Sequence, residues 1–148
     1  MKSILLSLLS VLLLTQCKQY SYNLEDLPKE YIQIGSFGGF AEQVTTYFFF
    51  QNGQRFIGEG ISSGDGIFES KEIKQGTPNN FKRMKSQLFE NEFGKIKLNE
   101  IGNMIYFIRL KTKKTDHAVQ WNNMDTAPQF LVEFYSNNTR KLKTEAIN

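Results

Sequence analysis

Val44-Thr45-Thr46-Tyr47-Phe48-Phe49-Phe50-Gln51-Asn52-Gly53 carries the strongest structural signal in the chain. Residues 44–50 are all β-branched or aromatic, the side chains that fit a pleated, half-buried surface, and they predict a strand. Asn52-Gly53 then predicts a two-residue type I′ hairpin, because that turn needs positive φ at both positions. A partner strand follows over Gln54–Ile57. Upstream, Tyr31-Ile32-Gln33-Ile34 reads as an earlier strand, joined to the next through a turn at Phe37-Gly38-Gly39-Phe40. Downstream, Gly58–Gly66 holds four glycines and two serines and reads as a flexible loop. Ile67–Ile73 reads as a further short strand.

Two helix starts interrupt this pattern. Thr77 is placed to cap a helix with Pro78 at its first position. Phe81, Met84, Lys85, Leu88 and Phe89 follow at helical spacing and predict one apolar face. Phe93 closes that contact, and Gly94 is the expected stop. Ile96-Lys97-Leu98 alternates briefly. After a turn at Gly102-Asn103, Met104–Leu110 reads as a central strand, with Ala118–Trp121 as its hairpin partner. Thr126-Ala127-Pro128-Gln129 matches a capping box. Beyond it Phe130, Leu131, Phe134 and Tyr135 cluster on one side of a second helix. The order is strands, helix, strands, helix, and hairpin signals dominate the joins. That predicts a single two-layer α+β domain, a mainly antiparallel sheet with both helices on one face.

The N-terminus reads differently. In MKSILLSLLSVLLLTQC, Lys2 precedes an apolar run from Ile4 to Leu14. A basic start and an apolar centre of about 7–15 residues mark a secretory signal. A membrane-spanning helix needs roughly 20 apolar residues, so this run is too short to span. Leu14-Thr15-Gln16-Cys17 resembles a bacterial lipobox, which ends on a cysteine that receives lipid. Leu14 and Cys17 fit its first and last positions. Gln16 departs from the usual small residue, so ordinary signal cleavage stays open as the alternative. Cys17 is the only cysteine. An odd cysteine in an exported chain needs a use, and lipidation supplies one. The resemblance implies a multiply acylated residue, palmitate included, and two or more acyl chains hold a membrane firmly. The expected organisation is a signal peptide over 1–16, a lipidated tether over 17–29, the α+β domain over 30–137 and a polar tail over 138–148.

Removal of residues 1–16 from the 148 leaves 132, enough for one core without staples. Formal charge is +3, falling to about +2 with Lys2 gone, which argues against a nucleic-acid platform. Lys111-Thr112-Lys113-Lys114 reads as a solvated hairpin turn and Arg140-Lys141-Leu142-Lys143 as a solvated tail. Thirteen Phe and six Tyr point to an aromatic core, with a ligand-stacking surface as the rival.

No catalytic set emerges, and no cofactor or metal is expected. The glycines of 58–66 lack the Gly-Lys-Ser/Thr and the following helix that a phosphate loop needs. Asp65 stands in no calcium-loop pattern. His117 is the sole histidine, too few for a zinc site. Asp116 beside it would point to the opposite strand face, and no Gly-x-Ser-x-Gly elbow is present. Glu69, Glu72, Glu90, Glu92 and Glu100 would serve as a glycosidase pair only if folding joined two of them. Phe37-Gly38-Gly39-Phe40 is the most distinctive motif of the mature chain. It reads either as a tight turn made possible by glycine or as a partner-binding knob with aromatic anchors.

Taken together, the motifs of Ile32–Phe40, Thr46–Gly53, Tyr106-Phe107-Ile108, His117–Trp121 and Ala127-Pro128 resemble a group of small, uncharacterised envelope lipoproteins of Gram-negative bacteria. More distantly, Gly38–Ala41 and Ala127-Pro128, with the order of elements, are similar to emfourins, proteinaceous inhibitors of thermolysin-like metalloproteases. No inhibitory residue maps onto this chain. The anchor, the missing catalytic set and the aromatic-rich hairpins point to a non-enzymatic protein held to the membrane by lipid on Cys17 and binding an envelope protein. A metalloprotease inhibitor and an unrecognised hydrolase are the alternatives. Surface-exported relatives carry acidic residues soon after the cysteine, which Lys18–Tyr22 lacks. The expected site is therefore the outer membrane, facing the periplasm.

Overall fold

The central strand of the sheet is β1, Tyr31–Gly38, and it is paired along its whole length on both sides. A computed structural model describes residues 21–61, 69–73 and 75–147. The strands that follow are β2 (Gln43–Phe50), β3 (Arg55–Ile61) and β4 (Glu69–Ile73). Then come helix α1 (Pro78–Glu90), a 3-10 turn over Phe93–Lys95, β5 (Met104–Lys111), β6 (Asp116–Trp121) and helix α2 (Gln129–Ile147). The strands lie in the order β4-β3-β2-β1-β5-β6 with every pair antiparallel. This is the expected α+β domain.

Register follows from the alternation of side chains across a strand. Ile34 stands between Tyr47 and Ile108, and Ile32 between Phe49 and Leu110. These residues, with Val119 and Trp121, form the face that packs on the helices. Phe81, Met84 and Leu88 of α1 and Leu131, Phe134 and Leu142 of α2 fill that core. The opposite face carries Tyr31, Phe48, Phe50 and Phe56, packed under Tyr22 and Leu24. Phe48, Phe49 and Phe50 therefore serve two cores in alternation. That is why β2 shows an unbroken apolar run, the pattern of a strand buried on both faces. Each fully buried aromatic contributes on the order of 1.5–3 kcal/mol. Among the described residues, Tyr47 Oη is buried with no hydrogen-bond partner. Burial, then the neighbouring Tyr135 and Glu59, push its pKa up to about 12.

The segment before β1 is fastened to the β2–β3 hairpin by a buried glutamine. Gln54 Oε1 accepts from the Tyr22 backbone N–H (2.7 Å) and from Asn52 Nδ2 (2.6 Å). Its Nε2 donates to Ser21 Oγ (3.1 Å), with the Tyr22 carbonyl and Glu72 Oε1 each at 3.3 Å. Gln54 is 4% exposed, so every polar group it buries has to be met internally. Tyr22 meets Phe50 edge-on at 5.8 Å between ring centres. Tyr22 and Leu24, expected as part of a tether over 17–29, thus pack on the open face of the sheet. Cys17 and the expected signal peptide over 1–16 lie outside the described residues.

Several boundaries differ from the sequence reading. The β2–β3 connection has three residues rather than two. Gly53 donates to the Phe50 carbonyl and Phe50 to the Gln54 carbonyl. Only Gly53 takes positive φ (91°), the pattern of a type I turn closed by a left-handed glycine. Gly58 to Ile61 extend β3, and the remainder of the expected glycine loop lies outside the described residues. Thr77 caps α1 as expected, its hydroxyl accepting from Asn80 N, with Pro78 in the first turn. Asn91, not Gly94, ends that helix; Gly94 sits in the 3-10 turn, and Phe89 is exposed. Helix α2 starts at Gln129, its first acceptor being the Pro128 carbonyl, later than a cap at Thr126 would give.

The largest correction is at the C-terminus. The expected polar tail over 138–148 is helix as far as Ile147, with Thr139 and Leu142 buried. Thr139 Oγ1 escapes the desolvation cost by donating to the Tyr135 carbonyl at 2.9 Å. Leu142→Ala should accordingly cost about 2–5 kcal/mol, the range for a buried leucine. Urea unfolding of the two proteins checks this; an unchanged midpoint would restore the free-tail reading.

Candidate functional site

The two glycines of Phe37-Gly38-Gly39-Phe40 do different work from the two phenylalanines. Gly38 has φ +108°, and a Cβ there would lie 2.1 Å from the Asn103 carbonyl oxygen. Gly39 has φ +76° and donates its N–H to that same oxygen at 2.6 Å. Glu42 N donates to the Gly39 carbonyl at 3.0 Å, closing the turn with Glu42 itself at φ 50°. Only residues without a Cβ reach these conformations cheaply. The β1–β2 turn is therefore stapled to the loop that leads into β5.

Phe37 points to the open face and meets Phe107 at 6.1 Å between ring centres. Gly35, on the same face, leaves the room for that ring: a Cβ there would sit 2.8 Å from it. Phe40 does the opposite and projects fully into solvent, with relative exposure 106%. The motif splits into a half-buried anchor and a free knob. The sequence alone could not divide the two roles, because both residues flank the same glycine pair.

Ile101 belongs to the same end of the sheet and was not singled out in the sequence. It is 87% exposed, two residues from the carbonyl that receives Gly39. Its backbone is fixed as firmly as the turn. Asn122 Nδ2 donates to the Ile101 carbonyl at 2.8 Å, and Asn122 N donates to Glu100 Oε2 at 3.0 Å. Glu100 N donates to the Gln120 carbonyl at 3.2 Å. Both large apolar side chains thus stand on pinned backbone and cannot fold back into the core. Glu42 and Asp125 are exposed in these loops, and residues 39–42, 100–103 and 122–128 contain no Lys or Arg.

Other candidates resolve into structural roles. His117 Nε2 donates to the Ile96 carbonyl at 3.0 Å, and its ring meets Phe93 edge-on. Asp116 lies on the other face, as strand alternation requires, and holds Arg109 through two bonds of 2.8 Å and Lys111 through one of 2.6 Å. These hydrogen bonds, Arg109 first, hold the Asp116 carboxyl well below the usual carboxylate range. Glu59 and Glu69 stand opposite one another across β3 and β4, and Glu72 bonds Gln54. Among the described residues, no group of three or more His, Cys, Asp or Glu side chains could hold a metal. A groove of about 600 Å³ separates the helices, lined mainly by polar side chains that include Arg83, Gln87, Gln129, Glu133 and Asn137. Among the described residues, no helix is long and apolar enough to cross a membrane.

Two outcomes follow. Gly38→Ala should cost at least about 2 kcal/mol, since it combines positive φ with a backbone collision. Phe40→Ala should stay within about 0.5 kcal/mol, as a solvated side chain does. Denaturant midpoints for both variants separate turn geometry from side chain. The Asp116 cluster adds a pH signature. Its folded pKa is depressed, so its stabilisation is present above the unfolded carboxylate value of about 3.9 and fades as pH falls through the range toward about 2. All three partners are roughly a third exposed or more, so Asp116→Asn should cost no more than about 1 kcal/mol at pH 7. That difference should shrink as unfolding is measured at lower pH.

No protein-family model matches the chain, and no curated protein matches it in sequence.

Proposed function

We propose that this chain is a non-enzymatic lipoprotein of the bacterial cell envelope, acylated on Cys17, that binds a protein partner through the Phe40–Ile101 tip. One observation carries the reading: two large apolar side chains stand fully exposed on pinned backbone at one end of the sheet. Exposed apolar residues are common singly. Two on adjacent, conformationally fixed loops form a preorganised contact, and preorganisation lowers the ordering cost of binding. Buried aromatic anchors then dominate interface energy.

The position of the tip supports the same reading. Ser21 and Tyr22 are held at Gln54, beside the start of β1. Phe40 lies past the end of β1, whose eight residues span about 25 Å. A membrane attachment at Cys17 leaves the tip at the far end of the domain, facing the envelope space. A thermolysin-like metalloprotease is one partner class to try, because a rigid turn with an exposed phenylalanine suits insertion into a cleft.

The anchor and the tip are tested separately. Cys17→Ser should release the protein from membranes, and the wild-type N-terminal peptide should carry an acyl mass. If the variant still partitions with membranes and the wild type has no acyl mass, the anchor is refuted. A photo-crosslinking residue at position 40 or 101 should trap the same discrete partner in cells, while one at the edge-strand position 71 should not. Equal crosslinking from all three positions refutes the tip.

A further inference from the structure

We infer that the end of the sheet opposite the tip is a headgroup-docking surface, seating the domain upright on anionic phospholipid through Lys29, Lys113 and Lys114. The inference rests on the acylation of Cys17 proposed above, and it adds a second, electrostatic contact with the same membrane.

The length of the connecting chain brings the surfaces together. Only Lys18, Gln19 and Tyr20 separate Cys17 from Ser21. Four peptide steps reach at most about 14 Å. Ser21 is held by Gln54 Nε2 and Tyr22 by Gln54 Oε1, so slack cannot be drawn from the folded segment without breaking a buried network. Ser21, beside the β2–β3 hairpin, is therefore kept within about 14 Å of the lipid attachment, at the end of the sheet that also holds the start of β1 and the β5–β6 hairpin. That distance is close to the screening length of about 8–10 Å at physiological salt.

Charge at this end is complementary to phosphate. Lys113 and Lys114 sit at the tip of the β5–β6 hairpin, and Lys29 lies two residues before Tyr31, the register partner of Lys111. All three are exposed. The turn holds its shape without their side chains. Thr112 N donates to the Thr115 carbonyl, and the Lys114 and Thr115 N–H groups donate to Thr112 Oγ1. The acidic groups here are largely engaged. Glu30 pairs with Lys85 at 2.7 Å, and Asp116 is shared by Arg109 and Lys111. Glu25, Asp26 and the Gln54-bonded Glu72 remain as exposed opposing charges. The distal loops carry Glu42, Glu100 and Asp125 and no cation. Exposed lysines thus stand at the attachment end, among carboxylates, while the loops around the apolar tip carry none. Each basic side chain near an anionic surface adds to binding, and salt weakens the effect.

The test uses the processed chain extracted from membranes and returned to vesicles of phosphatidylcholine, with or without phosphatidylglycerol. Amine-reactive labelling of Lys29, Lys113 and Lys114 should fall at least about threefold relative to Lys97 when phosphatidylglycerol is present, and recover in high salt. Equal labelling in both vesicles, with an acyl mass on the N-terminal peptide, overturns the docking surface and leaves the anchor standing. Absence of the acyl mass overturns the anchor instead. Co-sedimentation with phosphatidylglycerol vesicles then decides the surface alone: binding that K113E/K114E abolishes supports it, and no binding overturns it.

Discussion

Every feature of this domain depends on the register of β1. Its eight residues pair with β2 on one side and β5 on the other, and side chains alternate between two apolar surfaces. A slip of one residue would send Ile32 and Ile34 to the open face and Tyr31 and Gln33 into the helix layer. Such a slip exchanges the whole hydrophobic set of a strand. The register is held by Ile34 between Tyr47 and Ile108, and also by Gly35, whose missing Cβ admits the Phe107 ring and the Thr45 carbonyl. The same register brings Gly38 against Asn103 and so forms the tip.

The tip and the proximal end are two consequences of one antiparallel sheet. Hairpin connections alternate between the ends of a sheet. The β2–β3 and β5–β6 hairpins share one end with the incoming chain, while the β1–β2 turn lies at the other with the loop before β5. Lysines occupy the β5–β6 turn and the incoming chain at the first end, and acidic and apolar residues the loops at the second. The proposed orientation on a membrane needs no moving part. It needs only a short link, a buried glutamine and the length of a strand.

Much of this was legible in the chain. Residues 44–50 declared a strand because no side chain among them favours helix or turn. Thr77-Pro78 declared a helix start because cap and fixed φ act within a few residues. The α+β class followed from the spacing of such local signals. The failures have a common cause. Gly94 offered a stop that the helix did not need, since Asn91 had already ended it. The C-terminal segment looked like a solvated tail because its charges outnumber its apolar residues. Yet Leu142, at the right helical phase, reaches the core, and the helix runs past Asn137. The Asn52-Gly53 turn took three residues because Phe50 and Gln54 close it, and Gln54 is fixed by a segment thirty residues earlier.

The sequence by itself determined that residues 44–50 would be strand, that Gly38-Gly39 and Gly53 would turn, and that the only thiol follows an apolar run near the start of the chain. These properties are local, set by backbone sterics, capping and side-chain pattern within a few residues. Tertiary structure decided which of two equivalent phenylalanines beside Gly38-Gly39 is buried and which is free. It also joined Ile101 to Phe40 and placed the lysine-bearing β5–β6 turn at the same end of the sheet as the incoming chain. Those outcomes depend on which strands become neighbours, and strand neighbourhood is fixed by burial on both sheet faces at once, a global condition that no short window of sequence contains.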